Sequence, residues 1–289
     1  MIRRAVAAAV AVALTVVGCG RGSGPEHDVL AALREVDGVK RASNVPWLIR
    51  AGDHIFSVRL EKNPTPDTLS EVLKAYGRTA PALRSTDIAL YVRWKAGDQD
   101  REISGWGVTM PDDAYVRAAA DWPTDVQMRA GFYSAQGFVV SVRTDDDQFA
   151  GLLHRIAGLN LQGDDVGVYS PRYKVSWADT PPVARFDAAV AAAPSITELK
   201  VRQATFEGEV DKTSARWDAP ASDVRPEIEA LVDLWAAAPT REGLGIRTSD
   251  GQWADLDNKV CPDPAEPLAV ELWAYAQRPG HRIVAAPDC

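Results

Sequence analysis

Apolar residues recur along this chain at positions i, i+3, i+4 and i+7, and this pattern constrains the fold more than any other feature. The spacing is typical of the buried stripe of an amphipathic helix. Three such stripes follow one another at intervals of about 80 residues. They are Leu69, Val72, Leu73 and Tyr76, then Phe149, Leu152, Leu153 and Ile156, and then Ile228, Leu231, Val232 and Trp235.

A second stripe precedes each of these three stripes along the chain, and one further stripe lies near the carboxyl end. These stripes have the same spacing, so the sequence predicts seven amphipathic helices in a repeating order. They are Val29, Ala32, Leu33 and Val36; Tyr115, Ala118, Ala119 and Trp122; Phe186, Ala189, Val190 and Ala193; and Ala269, Leu272, Trp273 and Ala276.

Short segments of alternating polarity lie between the predicted helices and indicate strands. Two strands separate the helices of each pair, and two more, joined by a turn, follow the second helix. Each unit therefore has the order α-β-β-α-β-β, which is a circular shift of β-α-β-β-α-β, the ferredoxin-like order. The frame stays open, because residues 101–170 and 173–248 would also each form a complete ferredoxin-like unit. We attribute the repeated order to duplication of one unit. Chance recurrence of common helical stripes is the alternative.

We therefore expect an α+β protein of three tandem α-β-β-α-β-β units, with helices packed on antiparallel sheets. The predicted organisation also includes an amino-terminal signal peptide, a flexible tether and a carboxyl-terminal α-β half unit with a disulfide. The expected bounds are 1–18 for the signal peptide, 19–26 for the tether, 27–109, 110–179 and 180–258 for the three units, and 259–289 for the half unit.

The amino terminus has the pattern of a secretory leader. Arg3 and Arg4 precede an apolar run from Ala5 to Val17, which suits a signal peptide and is too short to cross a bilayer. The run ends in Val16-Val17-Gly18-Cys19, which resembles the lipobox of bacterial lipoproteins.

The lipobox resemblance implies cleavage before Cys19 and a thioether-linked diacylglyceryl group, with palmitate-type chains, on its thiol. Two acyl chains on one residue suffice for stable anchoring. The chain would then be lipid-anchored on the extracytoplasmic face of the cell membrane. The alternative is an ordinary secretory cleavage site that happens to contain a cysteine.

Cys261 and Cys289 are the remaining cysteines if lipid takes Cys19. An even pair in an oxidising compartment favours a disulfide. A bridge between them would hold the chain end and stabilise the fold by roughly 3–4 kcal/mol on the loop-entropy estimate.

The charge balance limits the partners of the chain. The formal net charge is −8, and removal of residues 1–18 leaves 30 basic and 40 acidic side chains. This balance argues against a nucleic-acid partner and against electrostatic binding to anionic lipid. We expect membrane lipid to be contacted through the acylated Cys19, and an envelope protein or polysaccharide to be the other partner.

No strong catalytic or metal-binding constellation appears in the sequence, so we predict no catalytic residue, no metal ligand and no cofactor. The four histidines, His27, His54, His154 and His281, are not spaced as zinc ligands. Three acidic clusters have weak similarity to calcium sites but suit helix starts and solvated turns better. They are Asp98, Asp100 and Glu102; Asp145, Asp146 and Asp147; and Asp250, Asp255 and Asp257.

Nine tryptophans are many for this length. Those on the helical stripes are explained by core packing, whereas four fall at predicted hairpin ends. Edge tryptophans either cover the sheet or stack on sugars and partner side chains, and we favour the first. The four are Trp94, Trp106, Trp177 and Trp253.

These patterns favour a non-enzymatic binding or scaffold module of the cell envelope. The bias toward Ala, Val, Arg and Asp resembles that of envelope lipoproteins from bacteria with high-GC genomes. One alternative is a hydrolase of envelope polymers with an unrecognised carboxylate site. Ligand delivery to a transporter is less favoured, because the doubly wound α/β pattern of solute-binding lobes is missing.

Overall fold

The computed structural model describes residues 24–45, 54–85, 88–107, 116–117, 119, 122–123, 125–133, 137–159, 161, 164–203, 211–237, 242–257 and 261–278. Within these ranges the chain alternates helices with pairs of strands. The helices are α1 (Pro25–Arg34), α2 (Pro66–Thr79), α3 (Phe149–Ala157), α4 (Val183–Ala192), α5 (Arg225–Ala236) and α6 (Pro267–Ala276), and a 3-10 turn, Ala80–Leu83, extends α2.

Twelve strands form one continuous mixed sheet in which spatial order follows chain order. Consecutive strands form antiparallel hairpins, and the second strand of each hairpin pairs in parallel with the first strand of the next. The strands are β1 (Val39–Asn44), β2 (His54–Leu60), β3 (Ile88–Ala96), β4 (Gln99–Trp106), β5 (Gln127–Tyr133), β6 (Gly137–Arg143), β7 (Asp165–Tyr169), β8 (Tyr173–Trp177), β9 (Glu198–Arg202), β10 (Asp211–Arg216), β11 (Glu242–Arg247) and β12 (Trp253–Asp257).

The predicted stripes are the buried faces of the helices. In α2, α3 and α5 all four residues of each predicted stripe are buried. Alternate strand residues face these helices, and together they form a single apolar core cluster. The start of α2 follows from its sequence, because the Thr65 hydroxyl accepts a hydrogen bond from the Thr68 backbone N–H at 3.1 Å and Pro66 occupies the first turn.

The prediction of three ferredoxin-like units with helices packed on antiparallel sheets is wrong. The sheet is mixed and unbroken, and parallel pairs join the predicted units to one another. Ile103 of β4 pairs with Ala130 of β5, and Val175 of β8 pairs with Val201 of β9. These pairs lie on either side of the expected boundaries at 109/110 and 179/180, so the strand edges that would bound separate units are occupied.

The physical repeat is α-β-β, half the length of the predicted unit. Each helix that lies between two hairpins carries the chain from the end of one hairpin to a parallel neighbour, which is the connection that parallel strands require. Residues 116, 117 and 119 are helical between β4 and β5, and Ala119 and Trp122 of the predicted stripe there are buried. Tyr115 and Ala118 of that stripe lie outside the described residues.

Aromatic packing also crosses an expected boundary. The rings of Phe149 in α3, Tyr173 in β8 and Phe186 in α4 form a triangle with centroid distances of 5.1–5.4 Å. Ring pairs at this separation stabilise the fold by more than the burial of their apolar area alone. The core is therefore continuous through the region where two units were expected to meet.

Several predictions fall outside the described residues, namely the signal peptide at 1–18, Cys19 and most of the tether. Cys261 lies just before α6, whereas Cys289 is outside, so their bridge stays a prediction. Among the described residues, no helix has both the length and the apolar character that a membrane crossing requires.

The close approach of Phe132 to Gly105 gives a test of the sheet across the β4–β5 junction. A Cβ atom on Gly105 would lie 1.9 Å from the buried Phe132 ring. We expect Gly105→Ala to lower the free energy of unfolding by about 1–3 kcal/mol, because the ring must shift within a packed core. Urea denaturation measures this change.

Gly151→Ala is the matched control for Gly105→Ala. Gly151 lies in α3, and no atom lies within 4 Å of its added Cβ. Alanine is the better helix former, so this variant should be about 0.5–1 kcal/mol more stable. Equal effects of the two substitutions would contradict the described junction.

Candidate ligand-binding face

On the side of the sheet opposite the helices, most of the outward side chains are exposed or half-buried, although Ile55 and Ala89 on that side are buried. We call this side the open face. Side chains alternate between the two sides of a strand, so the residues between the core positions project here. The charged side chains of the open face are Arg41, Arg59, Arg93, Lys95, Asp100, Glu102, Arg129, Arg143, Asp165, Lys174, Glu198, Lys200, Arg202, Lys212, Arg216, Arg247, Asp255 and Asp257.

The open face is basic although the protein is acidic. Twelve of its charged side chains are cations and six are anions, whereas the whole chain has a formal net charge of −8. The excess negative charge therefore lies elsewhere in the chain. A field of one sign on one surface attracts partners of the opposite sign.

One row of open-face residues runs in register across all twelve strands, and we call it the central row. Adjacent strands are about 4.8 Å apart, so the row extends over roughly 50 Å. Its members in strand order are Arg41, Arg59, Arg93, Glu102, Arg129, Ser141, Gly167, Ser176, Arg202, Lys212, Gly243 and Asp257.

Some open-face cations are neutralised by cross-strand carboxylates. The Arg93 guanidinium lies 2.6 Å from Glu102, and the Lys95 ammonium lies 2.9 Å from Asp100. Five arginines, by contrast, form no ion pair with any residue in the described part of the chain. They are Arg41, Arg59, Arg129, Arg143 and Arg247.

The open face is indented above the last four strands, in a depression of about 310 Å³ that we call the β9–β12 cleft. Its middle contains the small neighbours Ser214 of β10 and Gly245 of β11, which pair in register. Longer side chains rise around them. These are Glu198, Lys200, Lys212, Arg216, Arg247, Trp253 and Asp255.

Hydrogen bonds and ion pairs hold the carboxylates of the cleft. Glu198 accepts from Lys174 at 2.6 Å and lies 3.1 Å from the Lys200 ammonium. The hydrogen bond from Lys174 is the main reason that the pKa of Glu198 is below its ordinary value. Asp255 accepts from Lys212 at 3.0 and 2.9 Å. Both side chains thus orient neighbouring ammonium groups.

The four hairpin-end tryptophans divide into two pairs. Trp94 and Trp177 are buried in the core, as the packing interpretation predicts. Trp106 and Trp253 are on the open face, with 46% and 49% of their surfaces exposed. Trp253 pairs in register with Arg247 and borders the β9–β12 cleft. The alternative interpretation, stacking on a ligand, is therefore sterically open for these two.

The acidic clusters of the sequence are not gathered into cation sites. No group of three or more candidate metal ligands occurs among the described residues. Asp146 accepts a hydrogen bond from the Arg172 backbone N–H at 2.9 Å, and Asp250 accepts one from the Thr248 hydroxyl at 2.5 Å. These contacts shape turns.

The structure describes His27, His54 and His154, and two of these histidines face carboxylates. His54 lies 2.9 Å from Glu26, and His154 lies 3.0 Å from Asp187. His281 is outside the described residues.

The carboxyl group with a raised pKa, Glu242, is buried on the core side, where desolvation raises that pKa and Arg185 opposes the shift.

Sequence reasoning missed the open face. The signal was present in the strands, because arginine and lysine alternate with apolar residues in segments such as Val92-Arg93-Trp94-Lys95 and Leu199-Lys200-Val201-Arg202. Alternation identifies the outward residues of each strand. Joining those residues into one surface requires the strand order.

Comparison with known proteins gives no relationship: no protein-family description, no curated protein and no solved structure matches the chain.

Fluorescence quenching tests the surroundings of Trp253. Arg247, Arg216 and Lys200 border the same cleft, so iodide should collect there and caesium should not. Tryptophan fluorescence should therefore be quenched more by iodide than by caesium. We expect Trp253→Phe to remove most of this difference. Steady-state fluorescence of the folded protein measures it.

Trp106→Phe serves as the comparison for Trp253→Phe, because Trp106 is similarly exposed and lies outside the cleft. Both variants should lose quenching by neutral acrylamide. An iodide excess that survives in Trp253→Phe would refute a cationic environment around this indole.

Proposed function

We propose that this chain is a lipid-anchored, extracytoplasmic binding module of the bacterial cell envelope. It contacts membrane lipid through acylated Cys19 and binds an envelope partner on the open face. The binding is non-enzymatic. The observation that carries the proposal is a twelve-stranded sheet whose open face has a charge opposite to that of the whole chain.

The unpaired arginines support binding on this face. An arginine in a surface ion pair has part of its charge already neutralised, whereas Arg41, Arg59 and Arg129 in the central row form no ion pair with described residues. Guanidinium groups match carboxylate and phosphate in geometry. Cations spaced along a row suit an extended anionic partner better than a compact one.

The carboxylates of the open face argue for binding rather than hydrolysis. A general acid needs a raised pKa at the site of reaction. Asp100, Glu102, Glu198 and Asp255 each lie against a cation, and the hydrogen bond from Lys174 holds the pKa of Glu198 below its ordinary value. The hydrolase alternative has no comparable support.

The lipid anchor is tested with Cys19→Ser. Without the thiol no acyl chain can be attached, so the protein should move from the membrane fraction to the soluble extracytoplasmic fraction. Fractionation and intact-mass measurement report the location and the acyl mass. Cys261→Ser, which leaves the lipobox intact, should stay with the membrane. A Cys19→Ser protein that sediments with membranes as before would refute the anchor.

The role of the open face is tested with the double variant Arg59→Gln/Arg129→Gln. Both residues lie in the central row and outside the β9–β12 cleft. We expect retention on isolated cell envelopes to fall severalfold, and the remaining binding to be less sensitive to salt, because Coulombic contacts are lost. Co-sedimentation over a series of NaCl concentrations measures both effects.

The matched control is Lys74→Gln/Arg78→Gln, which removes the same charge from exposed positions on α2. It should leave retention unchanged, because α2 covers the opposite side of the sheet. If both double variants bind alike, the open face is not the binding surface.

A further inference from the structure

We infer that the β9–β12 cleft binds one anionic sugar unit of an envelope polysaccharide, with the sugar ring against Trp253 and its carboxylate or phosphate at Arg247. This inference rests on the proposed function, because it assigns a ligand class to one part of the open face. It is carried by the shape of the cleft, its aromatic wall and its mixture of charges.

The shape of the cleft depends on two small residues. A Cβ atom on Gly245 would lie 3.0 Å from the Ser214 hydroxyl oxygen, so a larger side chain at position 245 would occupy the floor. The volume of about 310 Å³ is at the lower end of the range for small-molecule pockets, which is about 300–1,000 Å³. The depression therefore suits a single ring rather than a folded domain.

Trp253 supplies an aromatic surface at the border of this floor. It lies on the edge strand β12, and about half of its surface is exposed. A large rigid indole with an exposed face loses little conformational entropy when a ligand packs on it. The C–H face of a sugar ring is an apolar surface of matching size.

Arg247 supplies the anion contact. It is the cross-strand neighbour of Trp253, it is exposed, and it has no ion pair among the described residues. A guanidinium can accept a carboxylate or a phosphate through two parallel N–H donors. Ring stacking and anion binding can thus be satisfied by adjacent side chains.

The acids in the cleft distinguish a sugar from a simple anion. Glu198 and Asp255 would repel a ligand that carries only negative charge. Their carboxylate oxygens, together with the Ser214 hydroxyl, accept hydrogen bonds from sugar hydroxyl groups. Arginine, indole and carboxylate in one cleft therefore match a hydroxylated ring with one negative group.

The test uses the full chain in detergent micelles and isothermal titration calorimetry with trigalacturonate. The neutral trisaccharide maltotriose and the peptide triglutamate serve as comparison ligands. We expect trigalacturonate to bind, and Trp253→Ala and Arg247→Gln each to weaken its binding by about tenfold, as for residues at the centre of a contact. Gly245→Val should abolish binding by filling the floor.

Trp106→Ala and Arg78→Gln are the matched controls. Trp106 is a similarly exposed indole on the open face outside the cleft, and Arg78 is an exposed arginine on α2. They should change trigalacturonate affinity less than twofold if the cleft alone holds the trisaccharide. Thermal unfolding of every variant establishes that the fold is retained. Gly245→Val and Trp253→Ala act by different means, so loss of fold in one leaves the other informative.

Three results would overturn the inference. They are no binding of trigalacturonate, equal binding of maltotriose, or equal binding of triglutamate with no effect of Trp253→Ala. None of them bears on Arg59 and Arg129, so retention of Arg59→Gln/Arg129→Gln on cell envelopes decides the proposed function separately.

Discussion

The parallel pairing between successive hairpins is the constraint on which the whole structure depends. Each hairpin can form with a short turn, but a parallel partner requires a crossover long enough to contain a helix. Where β2 meets β3, the 14-residue helix α2 makes that connection. Repetition of the same step places the helices on one side of a sheet that continues to grow at one edge.

The open face is a direct consequence of this arrangement. Helices bury the residues on one face of each strand. The residues on the other face contact water, so charged or small residues occupy it. In the sheet of this protein those residues fall in register from β1 to β12, because every strand pairs with its neighbour in the chain. The polar face that solvation requires thereby becomes an ordered row in which five of the twelve residues are arginines. This order is the physical basis for a binding surface on an acidic protein.

Local features of the fold could be predicted from the sequence, and the assembly of the sheet could not. The stripe Phe149, Leu152, Leu153 and Ile156 identifies α3 because helical periodicity reports which side of an element is buried. Periodicity carries no information about which strand lies beside another. The ferredoxin-like order and the observed sheet contain the same succession of helices and strands, and differ only in strand neighbours.

The candidate site was only partly predictable for the same reason. Trp253 could be placed at a hairpin end, where stacking on a ligand was one of two interpretations, and its exposure keeps that interpretation open. Arg247 carried no signal, because a lone arginine in a strand is ordinary. Its role depends on neighbours that belong to three other strands, because only strand pairing brings Glu198, Ser214 and Asp255 around it.

The distance between Arg59 and Arg202 tests the continuous sheet most directly. Both side chains are exposed in the central row, on β2 and β9, and lie in the first and third of the three units that the sequence suggested. Spin labels on ketone-bearing amino acids at these positions leave the native cysteines untouched, and double electron–electron resonance then reports the separation. A continuous sheet predicts one narrow distribution near roughly 35 Å, seven strand spacings of about 4.8 Å. A broad or multiple distribution, as separately folded units would produce, would contradict it.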